Sequence, residues 1–151
     1  MSMIKNLLFC LSMAAILTSC KKDPNERYNE ICQETLECSN DAGWIMDEFH
    51  SELIGSYDWK FVRAYGYGEF YSDDAYLNWT LTLNEDSTYV LNMADTAAMS
   101  GTWQLQNSWM SFTLDCQPAA STVFGQVLYC PPYLMFYSTP VDGPDHLYKK
   151  Q

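Results

Sequence analysis

The chain has 151 residues, with 8 Lys and Arg against 19 Asp and Glu and a formal net charge of −11. That length fits one domain, and a composition of 48 % apolar and 15 % aromatic residues is that of a chain folding around a core. Such acidity argues against a nucleic-acid partner, which needs a basic patch, and with only His50 and His146 for histidine chemistry no enzyme activity is expected.

Residues 1–19 place one Lys ahead of an apolar run from Leu7 to Leu17. This is the pattern of a secretory leader. Eleven helical residues would span about 16 Å, roughly half of a bilayer core, too little for a transmembrane helix. The run ends in Leu17-Thr18-Ser19-Cys20, which resembles the bacterial lipobox: an apolar residue, two small ones and a Cys at the cleavage point. The resemblance implies that residues 1–19 are a lipoprotein signal peptide, that the Cys20 thiol is diacylated, and that the new amine receives a palmitate-type chain. Several acyl chains anchor stably where one binds marginally. The expected location is the outer membrane of a bacterial cell envelope, with the membrane face open. The expected partner is the lipid bilayer.

Residues 21–30 are polar, contain Pro24 and show no apolar period, so residues 20–40 read as a flexible tether. The remaining cysteines, Cys32, Cys38, Cys116 and Cys130, are even in number. In an exported chain that favours disulfides, with three possible connectivities. No pair has the C-x₂₋₄-C spacing of a zinc site. In a continuous helix Cys32 and Cys38 would face about 240° apart and could not bond. In an irregular segment they would pair locally, and that local pair is the one expected. Trp44 or Ile45, Phe49 and Leu53 recur at helical spacing, predicting one helix over residues 41–53.

From Tyr57 the period becomes two. Trp59, Phe61 and Arg63 alternate with Lys60, Val62 and Ala64, and Leu77, Trp79, Leu81 and Leu83 alternate with Asn78, Thr80 and Thr82. Similar runs follow around Tyr89–Met93, Trp103–Leu105, Met110–Leu114, Val123–Cys130, Leu134–Ser138 and His146–Lys149. This pattern predicts a mainly β domain: an antiparallel barrel of about eight strands, or an open β-sandwich, over residues 41–151 with the preceding helix. The polar residues 84–88 set Leu83 opposite Tyr89, Leu81 opposite Leu91 and Trp79 opposite Met93. Asn107-Ser108 reads as a two-residue hairpin loop, pairing Leu105 with Met110 and Trp103 with Phe112.

Leu53-Ile54-Gly55-Ser56-Tyr57-Asp58-Trp59-Lys60, the hairpin from Leu81 to Tyr89, Ser100-Gly101-Thr102-Trp103 and the closing run from Asp145 to Lys150 resemble small lipocalin-like lipoproteins of Bacteroidota. The usual Gly-x-Trp opening is replaced by Gly55, Tyr57 and Trp59 at steps of two. The resemblance implies a barrel that binds one small apolar or amphipathic ligand, lined by Trp79, Tyr89, Trp103, Phe112 and Phe136. The competing reading makes each of these core, in a filled barrel with a structural or protein-binding task. Asp73-Asp74 and residues 142–145 read as solvated turns rather than calcium loops, and no metal or cofactor is expected.

Overall fold

The computed structural model describes residues 23–65, 70–94, 96–108 and 111–151. The leader and Cys20 lie outside the described residues. Two helices lead into the sheet. α1 (Pro24–Asp41) begins where the Asp23 carboxylate accepts from Asn25 N at 2.8 Å, with Pro24 in the first turn, where a missing N–H costs nothing. Residues 24–40 are therefore helix, not tether. The segment 41–53 is not one helix either: α1 ends at Asp41, Gly43 turns at φ +61°, and α2 (Met46–Leu53) follows.

The strands are β1 (Gly55–Ala64), β2 (Phe70–Ser72), β3 (Thr80–Leu83), β4 (Thr88–Asn92), β5 (Met99–Ser108), β6 (Ser111–Gln117), β7 (Gln126–Cys130), β8 (Tyr133–Tyr137) and β9 (Asp145–Lys150), with a 3₁₀ turn at Thr139–Val141 before β9. All pair antiparallel. β9 returns to β1, closing an eight-stranded lipocalin-like barrel, while β2 is an extra strand on the upper half of β1. Closure removes the edges on which a small sheet would aggregate.

Alternation sorts the side chains into an inside and an outside. Tyr57, Trp59, Leu81, Tyr89, Leu91, Trp103, Tyr129, Phe136 and Tyr148 join one interior cluster. Phe61, Leu128, Met135 and Leu147 form a second cluster with Cys32 of α1. β1 serves both because its register slips between Trp59 and Phe61, so Val62 turns inward and Phe61 outward. α1 thus covers the outer wall made by β1, β7, β8 and β9.

The disulfide follows from this packing. Cys38 bonds Cys130, with Cα atoms 5.8 Å apart, and staples α1 to β7. The local Cys32–Cys38 pair is overturned for the helical reason given above. Cys32 and Cys116 are free and buried, one under α1 and one inside the barrel. Burial pushes each thiol up to about 12, so neither supplies a thiolate at neutral pH.

The register of β3 and β4 is the expected one at Leu83–Tyr89 and Leu81–Leu91, and it stops at Thr80–Asn92, short of Trp79 and Met93. The β3 strand begins later than the alternation suggests, because Asn78 takes a left-handed turn at φ +66° and leaves Leu77 exposed. The Asn107-Ser108 turn is overturned. Both residues are in β5, which pairs Ser108 with Ser111, Leu105 with Leu114 and Trp103 with Cys116. Alternation constrains only parity. The observed register is offset by four from the expected one, keeps Trp103, Leu105 and Leu114 in the interior cluster, and forms a seven-pair ladder.

Candidate functional site: a groove where β6 and β7 part

The five aromatics expected to line a ligand are brought together, as packing. Tyr89, Trp103 and Phe136 are fully buried, and Trp79 and Phe112 are half-buried against the same cluster. Both ends of the barrel are occupied. Where β1 begins, α2 lays Phe49 on Phe112 at 4.7 Å and His50 on Trp103 at 4.6 Å between ring centroids. Toward the other end, Tyr76 stands edge-on to Trp59, Trp79 and His146 at 4.8–5.3 Å. The loop after β6 reaches in as well, where the Tyr148 hydroxyl bonds Thr122 at 2.8 Å and the Tyr89 hydroxyl donates to the Pro118 carbonyl.

His146 belongs to this interior. Trp59 Nε1 donates to its Nδ1 at 3.3 Å, and burial lowers its pKa to about 4, so it stays neutral and serves as an acceptor. Among the described residues, no group of three or more His, Cys, Asp and Glu is placed to hold a metal ion.

A recess opens instead on the outer wall. The ladder between β6 and β7 has only two pairs, Phe112–Val127 and Thr113–Gln126. Beyond them the strands part into a groove of about 600 Å³, within the range of small-molecule sites. Leu114, Phe124, Tyr137, Pro140 and Val141 give it apolar walls, and Gln106, Thr113, Asp115 and Gln126 supply polar groups. Phe124 and Val141 are 62 % and 66 % exposed, large apolar surfaces left open at the rim. Asp115 accepts from Gln106 Nε2 at 3.3 Å and from Gln117 Nε2 at 3.0 Å, so the polar side presents amides around one carboxylate.

The rim is held by a buried hub. Asp145 Oδ1 accepts from the backbone N–H of Ser138 and Thr139 at 2.7 and 2.9 Å, and its Oδ2 accepts from the Thr139 hydroxyl at 2.8 Å and from Arg63 Nε at 2.9 Å. Arg63 in turn donates through Nη1 to Asn29 of α1 at 2.7 Å. This network fixes the 3₁₀ turn that carries Pro140 and Val141. Ser138 Oγ donates to the Phe124 carbonyl at 2.7 Å, tying the opposite rim to the same turn. Gly125 permits that approach: it has φ +104°, and a Cβ there would strike Ser138 Oγ and the Tyr137 carbonyl.

Asp145 is therefore a buried anchor and not a solvated turn residue. Its role is hidden in the sequence, because Arg63 is 82 residues away. The groove is equally hidden, since a missing ladder leaves no mark on alternation. Compared with known proteins, the chain matches no family model, no curated protein and no solved structure.

Proposed function

We propose that the protein is an exported lipoprotein, anchored by acylated Cys20 in the outer membrane, whose lipocalin-like barrel binds a small amphipathic ligand in the groove between β6 and β7. The observation that carries this reading is the contrast between a barrel interior filled by aromatic side chains and an open, mainly apolar groove of ligand size on its wall. The amides and the single carboxylate along one side suit a neutral ligand bearing hydroxyl or amide groups, because an anion would meet Asp115. A second reading, a filled-barrel lipoprotein that engages a protein, is favoured by the exposure of Phe124 and Val141 at the rim.

The anchor is tested by metabolic labelling with palmitate. Label on the wild type and none on Cys20→Ala is expected, and retained label in the variant would refute the lipobox. The groove is tested with the neutral dye Nile red and by native mass spectrometry of the purified protein. Saturable one-to-one dye binding, weakened at least tenfold by Phe124→Asp, is expected. A protein that arrives empty, ignores the dye and captures a protein partner through Phe124 would favour the second reading.

A further inference from the structure

Eight basic residues serve the whole chain, and five of them fall among the described residues: Arg27, Lys60, Arg63, Lys149 and Lys150. Arg63 is buried against Asp145. The other four line one recess of about 440 Å³, shared with a single acidic side chain, Asp58. In a chain of net charge −11, the charges of Arg27, Lys60 and Lys149 gathered on one face are a strong asymmetry, while Lys150 lends the recess only part of its side chain.

The fold builds the recess from three directions. On β1, Asp58 faces outward and Lys60 follows it at the register slip between Trp59 and Phe61. β9 sets Lys149 opposite Asp58, and β8 sets Tyr133 on the other side of Lys149. α1 brings Arg27 and Tyr28 over them from its first turns. Lys60 Nζ lies 3.4 Å from Asp58, whose carboxyl is held below the usual range by the Gln151 side-chain amide at 2.9 Å and by Lys60. The Lys150 ammonium turns away to the Glu52 carbonyl at 2.8 Å. Arg27 and Lys149 are exposed and make no ion pair among the described residues. Asp23, just before the helix, is committed to the cap.

The recess also lies where the chain leads to Cys20. Three residue steps separate Cys20 from Asp23, about 11 Å at full extension, and two of the residues involved are Lys21 and Lys22. We infer that this recess takes the phosphate of an anionic phospholipid headgroup, seating the domain on the bilayer through the face that carries the start of α1. The placement at the membrane rests on the lipid-anchor reading, whereas headgroup binding itself does not.

Residues 23–151 contain every described element, both apolar clusters and the disulfide, so they form the folding unit. A chain starting at Lys21, exported so that Cys38–Cys130 forms, is therefore suitable for vesicle sedimentation without the acyl anchor. The probes are vesicles of phosphatidylcholine alone and of phosphatidylcholine with phosphatidylglycerol. Binding to the anionic vesicles only, lost at high salt, is expected. Each Lys or Arg near such a surface is worth roughly a factor of five, so Arg27→Gln with Lys149→Gln should weaken binding about 25-fold. Equal binding to both vesicles, no binding to either, or a double variant that binds like the wild type would overturn the proposal. A shift of the Lys149 amide resonance with inorganic phosphate, without vesicle binding, would assign the recess to a free phosphate and overturn it too. Failure of the anchor reading shows separately, as missing palmitate on the native protein.

Discussion

His146 carries the clearest pH dependence at the scale of single residues. Its folded pKa near 4 lies below the ordinary 6.5, because burial disfavours the imidazolium by more than the neighbouring Asp145 carboxylate favours it. Between those values the unfolded chain binds the extra proton and the folded one does not, so stability rises with pH across the window. The contribution is complete above about pH 6.5 and is lost as pH falls toward 4; a shift of this size corresponds to about 3 kcal/mol at most. Urea unfolding of the wild type and of His146→Gln, measured from pH 4 to 7, checks this. The carboxylates titrate in both proteins and cancel in the difference, so parallel curves would show that His146 contributes nothing. The sequence makes His146 a structural or surface residue with no nucleophile beside it, and reads His146–Lys149 as a last short strand. Its neighbour Asp145 was not legible, because its four bonds depend on a turn and on a distant arginine that only the closed barrel brings together.

At the scale of elements, α1 shows why some structure escapes a reading by hydropathy. Its inward face runs through Tyr28, Ile31, Cys32, Thr35, Leu36 and Ser39, but the three buried positions are Cys32, Thr35 and Ser39, only weakly apolar, with Ile31 and Leu36 packed at the edge. Thr35 returns its hydroxyl to the Ile31 carbonyl at 2.7 Å, and Ser39 Oγ accepts from Tyr129 N at 3.0 Å. Tyr129 lies beyond the two-pair ladder of β7 with β6, so α1 satisfies a strand N–H that the neighbouring strand does not. The β3–β4 hairpin, by contrast, was legible because its polar loop and alternation agree. The Cys38–Cys130 bond closes a segment of 92 residues, and its removal by Cys38→Ala with Cys130→Ala should cost about 2–4 kcal/mol. A docked α1 also predicts that trypsin spares Arg27 in the folded, oxidised protein and cuts there once both cysteines are replaced. Mass spectrometry of the fragments reads this directly. Rapid cleavage at Arg27 in the oxidised wild type would restore the flexible tether.

For the whole molecule, alternation revealed which side chains face inward, and from that the barrel, but it says nothing of the volume they enclose. The rings of Tyr57, Trp59, Tyr89, Tyr129, Phe136 and Tyr148 pack together inside a short barrel, and short strands leave little room that such rings do not take. A filled interior and an outer groove make opposite demands on two phenylalanines. Phe136 is fully buried, in edge contact with Tyr148 at 5.8 Å, so Phe136→Ala removes core and should cost about 3–5 kcal/mol. Because it lines no part of the groove, Nile red affinity should stay within twofold of the wild type while the protein remains folded. Phe124 is largely exposed at the rim, so Phe124→Asp should leave stability within about 0.5 kcal/mol, yet lose the dye. Thermal unfolding and dye titration on the two variants separate stability from binding. A ligand carried inside the barrel would reverse the pattern: Phe136→Ala would change dye affinity strongly and Phe124→Asp would leave it intact.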